Sequence, residues 1–168
     1  MGEHMSTRKR IRDMTEAERT RYHADAEAKI HVFKYEKPAP APRPKQLAWL
    51  VKGELQQVVV QVVKDGGENN LHYHTSMDES WMVLKGRAVF WGDGDKVLAE
   101  LGPHEGIFIP AGARYRFAKD GSEDLEILQV TAHDKTAPEQ ENRFNVEPTK
   151  SWMKEDIFKA DDPSLAKA

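Results

Sequence analysis

The 168-residue sequence predicts an all-β fold, a sandwich or barrel of antiparallel strands. Between residues 46 and 133, short apolar runs alternate with turn residues at regular spacing, and no helical pattern lies between them. The connections are too short for the crossovers that parallel strands need, so antiparallel pairing is expected. The expected strands are 47–51, 55–63, 69–75, 79–85, 87–91, 96–101, 106–109, 114–118 and 125–132.

Charged segments flank this barrel on both sides. Thr15 and Glu18 have the spacing of a capping box, which predicts a helix over about 16–29. Prolines at every second position from 38 to 44 exclude a helix there and favour an extended arm. The chain is therefore divided into a helix with a Pro-rich arm, a barrel and a tail, at residues 1–45, 46–133 and 134–168.

The tail contains a second candidate helix at 151–159, whose large apolar side chains predict docking. Two surfaces could receive it, the barrel of the same chain or the interface of a dimer. The Pro-rich segment could be a simple linker, or an arm that lies along the body of its own domain or along a neighbouring subunit.

The composition limits the possible chemistry. The chain has no Cys, which excludes disulfide scaffolds, thiol catalysis and iron–sulfur clusters, so a metal site would have to use His, carboxylate or phenol. A net charge of −3 argues against a dedicated nucleic-acid binder. No apolar run reaches the roughly 20 residues of a membrane span, and the polar N-terminus does not resemble a signal peptide. A cytoplasmic protein without a membrane partner is expected.

The most informative residues are His72, His74 and Glu79. Side chains two apart on a strand share a face, so both imidazoles are expected to point the same way, and Glu79 begins the next strand beside them. A His-x-His pair alone is more often surface or core decoration, but the added Glu favours a metal site. Two His and one carboxylate leave coordination positions open, which suits Fe(II) first, with Mn(II), Ni(II) or Zn(II) as alternatives.

The same segment resembles the first motif of the cupin superfamily, Gly-x5-His-x-His-x3–4-Glu-x6-Gly. Gly66, His72, His74, Glu79 and Gly86 stand at its positions. The resemblance implies a double-stranded β-helix, a jelly-roll barrel of two antiparallel sheets, with a metal inside near one mouth. Cupins of this size are commonly homodimers, so the resemblance also implies a homodimer with exchanged terminal arms.

The second cupin motif, Gly-x5-Pro-x-Gly-x2-His-x3-Asn, is matched only in part. Pro110 and Gly112 agree with it. His104 stands at the first Gly position, Tyr115 at the position of the fourth ligand and Lys119 at the Asn position. Tyr115 could bind the metal as a phenolate, act on the substrate as a general acid or base, or pack in the barrel.

The first functional hypothesis is a metal-dependent enzyme acting on a small molecule, with an Fe(II)-type dioxygenase favoured. His72, His74 and Glu79 would be the ligands and Tyr115 the catalytic group. The alternatives are a metal-dependent isomerase, epimerase or lyase, and a cupin that binds a small molecule without catalysis. Strand phase and apolar character give further pocket candidates, namely Asn70, Trp81, Phe90, Phe108, Phe117 and Gln129.

Overall fold

The computed structural model describes residues 9–137 and 143–148, which belong to two compact units divided after Phe33. The first unit contains a 3₁₀ turn, Ile11–Asp13, and helix α1, Glu16–Glu27. Both hydrogen bonds of the predicted capping box are present: the Glu18 amide donates to the Thr15 side chain, and the Thr15 amide donates to the Glu18 carboxylate. The helix prediction is thus confirmed, and no side chain of α1 is buried. None of the helices in the described ranges is long and apolar enough to cross a membrane.

The second unit is built from strands. Ten are found in its described residues: β1 Lys45–Lys52, β2 Gln56–Val63, β3 His72–His74, β4 Met77–Lys85, β5 Ala88–Trp91, β6 Val97–Leu101, β7 Gly106–Ile109, β8 Arg116–Lys119, β9 Leu125–His133 and β10 Arg143–Asn145. A single 3₁₀ turn, Asp93–Asp95, interrupts them.

The strands form two layers around one core. One layer is a five-stranded sheet in the order β1-β2-β9-β4-β7, and the other combines the three-stranded sheet β6-β5-β8 with the pair β10-β3. An isolated bridge between His72 and Tyr115 connects these two parts of the second layer. Trp81 on β4 packs against Phe117 on β8, with 4.9 Å between ring centroids, so the layers meet face to face. All pairings in the described residues are antiparallel, which confirms the predicted all-β jelly roll.

Strand β4 shows how the sequence places the site. Its side chains alternate between buried and exposed from Met77 to Val83, the period of a strand with one face on the core. Glu79 lies on the buried face, between two apolar neighbours on the same side. The fold therefore places a carboxylate inside the barrel.

Two features of the second layer were not expected. Strand β3 is shorter than the predicted 69–75. Its partner β10 lies in the tail, where the polar sequence did not predict a strand. The register places Arg143 opposite His74 and Asn145 opposite His72. The candidate helix at 151–159 lies outside the described residues.

The Pro-rich arm lies along the barrel of its own chain. The Tyr35 hydroxyl donates to the Glu126 carboxylate at 2.7 Å, and the side chains of Gln46 and Lys64 donate to carbonyls of the arm at 2.9 Å. Of the alternatives for the arm, the described contacts are those with its own domain. A homodimer with exchanged segments stays a prediction.

Glycine at position 86 is required by its surroundings. Its φ is +77°, and a Cβ there would lie 2.6 Å from the carbonyl oxygen of Asp124. His104, which stands at the Gly position of the second motif, has a φ of +69°. This left-handed conformation is the one that favours glycine.

We expect Gly86→Ala to lower the free energy of unfolding by about 2 kcal/mol or more, because left-handed strain adds to the clash with a backbone atom. Gly94→Ala is the matched control, since Gly94 has φ +63° but no atom within 4 Å of the added Cβ. It should lose only about 1 kcal/mol. Urea unfolding of the two variants measures the difference, and equal losses would contradict the role of the clash.

Candidate active site

A cavity of about 350 Å³ opens into the barrel between the two layers. This volume is in the range of small-molecule sites. Trp81 and Met77 supply its apolar wall. The polar wall combines imidazoles, a phenol, amides and two cations, namely His72, His74, Tyr115, Gln61, Gln129, Asn69, Lys45 and Arg143.

The two histidines stand together on β3, as predicted, with 5.1 Å between their ring centroids. The Nδ1 atom of His72 lies 2.8 Å from the carbonyl oxygen of Asn70. Because a carbonyl only accepts, Nδ1 carries the proton and Nε2 keeps its lone pair. Burial, with the nearby positive charge of Arg143, lowers the pKa of His72 to about 3, so its imidazole is neutral at pH 7.

Glu79 is 1% exposed and lies behind the cavity wall. Its Oε2 accepts a hydrogen bond from the Tyr115 hydroxyl at 2.6 Å, and its Oε1 accepts one from Gln129 Nε2, also at 2.6 Å. The Nε2 atom of His74 is 3.8 Å from Oε2. Burial raises the pKa of Glu79 to about 7, against the opposing effect of its two donors. The carboxyl group can thus gain or lose a proton near neutral pH.

Tyr115 connects this buried carboxyl group to the cavity. Its ring is 4.5 Å from the His72 ring, centroid to centroid, and its backbone pairs with that of His72. Burial, followed by the negative charge of Glu79, raises the pKa of Tyr115 well above its usual value, so the phenol is protonated. Tyr115 is therefore a cavity-wall proton donor whose hydrogen bond is made to Glu79.

The predicted metal ligands are neighbours, but in this arrangement they do not fit a metal ion. In the described ranges, no group of three or more His, Asp or Glu side chains could hold one. The donor chemistry gives the reason: both oxygens of Glu79 already accept short hydrogen bonds, and the one facing His74 is held by Tyr115. The positive charge of Arg143 also acts on His72 and Glu79. Metal ligation by these residues stays a prediction.

Two cations of the cavity wall were missed by sequence reasoning. Arg143 donates to the amide oxygens of Asn70 at 2.8 Å and Asn145 at 2.9 Å. Lys45 is 1% exposed, donates to Asn69, and lies over the Phe117 ring at 4.9 Å from its centroid. Arg143 is in a polar tail and Lys45 is at the first position of a strand, so no sequence pattern indicated that either residue belongs to the site. The phase of β1 and the pairing of β10 are what bring them to the site.

Whether each of the other pocket candidates lines the cavity depends on which face of its strand it occupies. Trp81 and Gln129 line the cavity, and Gln129 is itself held by Gln61, whose Nε2 donates to Gln129 Oε1 at 2.8 Å. Asn70 is fully buried and supports Arg143.

The three phenylalanines do not form the polar pocket. Phe90 and Phe117 are fully buried in the hydrophobic core beside Trp81. The prediction for Phe108 is wrong, because this side chain is 58% exposed. On β7, Ile109 pairs with the inward-facing Glu79, so residue 108 points to the outer face, where it pairs with Ser80.

With this geometry in place, sequence comparison identifies the class of the domain. Residues 59–131 match the family model of the Cupin domain, and the barrel of this chain is a cupin domain. This agrees with the motif resemblance of residues 66–86 and with the jelly-roll topology.

Two curated proteins share sequence with the barrel. Mannose-1-phosphate guanylyltransferase 2 of Escherichia coli O157:H7 is 34% identical over 84 residues, which are 49% of this chain and 17% of that protein. Mannose-1-phosphate guanylyltransferase of Escherichia coli strain K12 is 35% identical over 78 residues, 46% of this chain and 16% of that protein. The match thus spans about a sixth of the length of these relatives.

Solved structures share the fold at lower identity. An uncharacterized conserved protein with a double-stranded β-helix domain from Klebsiella pneumoniae has a TM-score of 0.58 at 18% identity, covering 73% of this chain and 96% of that chain. A cupin superfamily protein from Desulfitobacterium hafniense has a TM-score of 0.50 at 23% identity, with 61% and 95% covered. These similarities concern the fold alone.

Proposed function

We propose that the cavity is the active site of an isomerase or epimerase, which moves a proton on a small hydroxylated carbonyl compound of the sugar type. The observation that carries this proposal is the hydrogen bond between Tyr115 and the buried Glu79 at a cavity wall shared with two histidines. Such a set combines a proton donor, a proton reservoir and bases within one small space.

The acid side of the reaction is assigned to Tyr115. Its hydroxyl gives a proton to the carbonyl oxygen of the substrate, and the carboxyl group of Glu79 replaces that proton through the 2.6 Å hydrogen bond. A group with a pKa of about 7 is suited to this exchange, because it holds a proton for a substantial fraction of the time at neutral pH. Glu79 is then a carboxylate, and Tyr115 is again a phenol.

The base side is assigned to His74, which takes the proton from the carbon next to the carbonyl group. Its Nε2 is 3.8 Å from Glu79 Oε2, so the carboxylate formed in the acid step stabilises the imidazolium formed in the base step. Return of the carbon proton to the neighbouring carbon, with loss of the proton of the hydroxyl group on the first carbon to Tyr115 and Glu79, completes an isomerisation. Return to the opposite face of the same carbon, with loss of the enol proton to Tyr115 and Glu79, completes an epimerisation. No net charge enters or leaves the site.

The walls also support a hydroxylated substrate. Gln61, Gln129 and Asn69 place amide groups around the cavity, and amides both donate to and accept from hydroxyl groups. The two curated relatives are named for mannose 1-phosphate, which favours a substrate from sugar chemistry over an unrelated small molecule.

Metal-dependent chemistry is the second candidate function, either the iron dioxygenase or the metal-dependent isomerase or lyase. One observation favours it: the hydrogen bond from His72 Nδ1 to a main-chain carbonyl is the arrangement that orients metal-binding histidines. Fe(II), Mn(II), Ni(II) and Zn(II) are the ions to test. A cupin that binds its ligand without catalysis is the remaining alternative.

Proton transfer to carbon is measured directly in deuterated water. We expect untagged, chelator-treated protein to catalyse deuterium incorporation at the carbon beside the carbonyl group of one member of a panel of aldoses, ketoses and their phosphate esters. NMR detects the exchange, and an oxygen electrode monitors dioxygen uptake. Metal analysis verifies that the chelator has removed metal from the protein.

Two results would contradict the proposal. Exchange that disappears on chelation, returns with Fe(II) or Mn(II) and is absent in His72→Ala would support the metal-dependent alternative. Ligand binding without exchange or dioxygen uptake would leave a binding protein.

A further inference from the structure

Arg143 is a cation whose partners in the site are neutral. Its guanidinium group is partly buried in the cavity wall and donates to the amide oxygens of Asn70 and Asn145. In the described part of the chain, no carboxylate lies within ion-pair distance of it. A guanidinium group has five N–H donors, so three of them make no hydrogen bond to the described residues. Buried charges in proteins are normally paired, so these three donors favour an anionic partner.

Lys45 adds a second basic group to the same cavity, which carries a positive charge when it is protonated. The two cations are close enough that the charge of Arg143 lowers the pKa of Lys45 further, beyond the larger effect of burial. The charge of the buried acid acts on Arg143 from a distance, but the hydrogen bonds that the two oxygens of Glu79 accept come from Tyr115 and Gln129 and not from Arg143. Glu68 acts on Lys45 from nearby, so the positive charge on this side of the cavity wall that makes its hydrogen bonds to neutral groups is Arg143.

We propose that Arg143 and Lys45 form the binding site for a phosphate monoester group of the substrate. A dianionic phosphate matches two cations, the planar guanidinium fork can bind two of its oxygens, and the lysine acts as a compact second charge. This inference rests on the proposed function for the remainder of the substrate, whose carbonyl group would face Tyr115. It narrows the substrate class from sugars to sugar phosphates.

The two asparagines give the site its orientation. Asn70 and Asn145 hold one side of the guanidinium group, each through its side-chain oxygen, and Asn70 Nδ2 also donates to Asn145 Oδ1 at 3.0 Å. Arg143 is thus fixed in place before a ligand arrives, which reduces the entropy lost on binding.

Calorimetry with glucose 6-phosphate, inorganic phosphate and glucose tests the proposal. We expect wild-type protein to bind glucose 6-phosphate at least tenfold more tightly than glucose, with an affinity that falls as salt is added. Arg143→Gln should lose at least tenfold in affinity for both phosphate probes and keep its affinity for glucose. Arg143→Lys should lose less, since it keeps the charge without the fork. Arg114→Gln is the matched control, because Arg114 is half-exposed and pairs with Asp93 outside the cavity.

The possible outcomes separate this site from the catalytic proposal. Equal affinity of the wild type for glucose and glucose 6-phosphate overturns the phosphate site and needs no variant, so folding of Arg143→Gln does not limit the test. Phosphate affinity that is unchanged in Arg143→Gln overturns it as well. Arg143-dependent phosphate binding, with no deuterium exchange into any sugar, leaves the phosphate site standing and refutes the isomerase. Inorganic phosphate binding as tightly as the ester would also overturn the claim that a sugar phosphate is the ligand.

Discussion

Tyr115→Phe is expected to lower the rate of proton exchange by about 10²–10⁴-fold, the contribution typical of a positioned general acid. Phenylalanine fills the same space between His72 and Trp81, so the barrel should remain folded. The variant loses the hydroxyl that contacts the substrate and the only path by which Glu79 delivers a proton in the proposed reaction. Binding of the substrate should change little, because its phosphate group is held by Arg143.

Exchange rates measured by NMR at saturating substrate, together with calorimetric affinities, separate these two effects. The control is Tyr73→Phe, which removes a hydroxyl from the residue between the two histidines. The Tyr73 ring stacks on Phe144, 5.3 Å between centroids, and the residue does not line the cavity in the described structure. If the two variants lose the same small amount of activity, Tyr115 is not the acid. A large loss of affinity in Tyr115→Phe would indicate a binding role instead.

Lys45→Met is expected to abolish a rise in stability that the wild type shows between about pH 7 and pH 9.5. Burial lowers the pKa of Lys45 to about 7, whereas the unfolded chain has the ordinary value near 10.5. Between these values the unfolded state binds a proton that the folded state does not, so the free energy of unfolding increases with pH. One pKa unit is worth about 1.4 kcal/mol, which makes the expected rise on the order of a few kcal/mol.

Glu79 has the opposite effect at lower pH. Its folded pKa of about 7 is above the ordinary 4.5, so the stability that its proton provides is lost as the pH rises from about 4.5 to 7. His72, whose pKa is lowered to about 3, has the reverse effect up to about pH 6.5, so the two groups largely offset each other there and Lys45 is responsible for the rise above pH 7.

Urea unfolding at intervals from pH 6 to 9.5 measures this profile. The series ends there because the raised pKa values of Tyr35 and Tyr115 lower stability at higher pH. Lys85→Met is the control, since Lys85 is exposed and pairs with Glu123. A rise that persists in Lys45→Met would mean that Lys45 is not the group responsible. The same variant should bind glucose 6-phosphate more weakly than the wild type.

Much of the barrel could be predicted from the sequence because its signals are local. Alternation on β4 and turn residues between short apolar runs are sufficient to locate most strands, and the spacing of His72, His74 and Glu79 brings them together without knowledge of the whole fold. The capping box at Thr15 is local in the same way.

The parts that were missed depend on distant pairing. Arg143 reaches the cavity because a three-residue strand pairs with β3 about seventy positions upstream, and such a short polar strand has no pattern of its own. The misplacement of Phe108 is an error of phase: one position along β7 separates the core from the outer face. The missed pairing of β10 and the wrong face for Phe108 both concern strand register, which the pattern of apolar residues alone does not determine.

The bridge between His72 and Tyr115 has a consequence for how the acid and base groups are kept in position. These residues belong to different parts of the second layer, and the hydrogen bonds from His72 N to Tyr115 O and from Tyr115 N to His72 O, at 3.1 and 2.9 Å, join the two parts at this point. The separation of the phenol from the imidazoles is therefore governed by a seam between two small sheets. Local opening of these two hydrogen bonds, which requires much less than unfolding, would change the distance between the phenol and the imidazoles over which a proton must move.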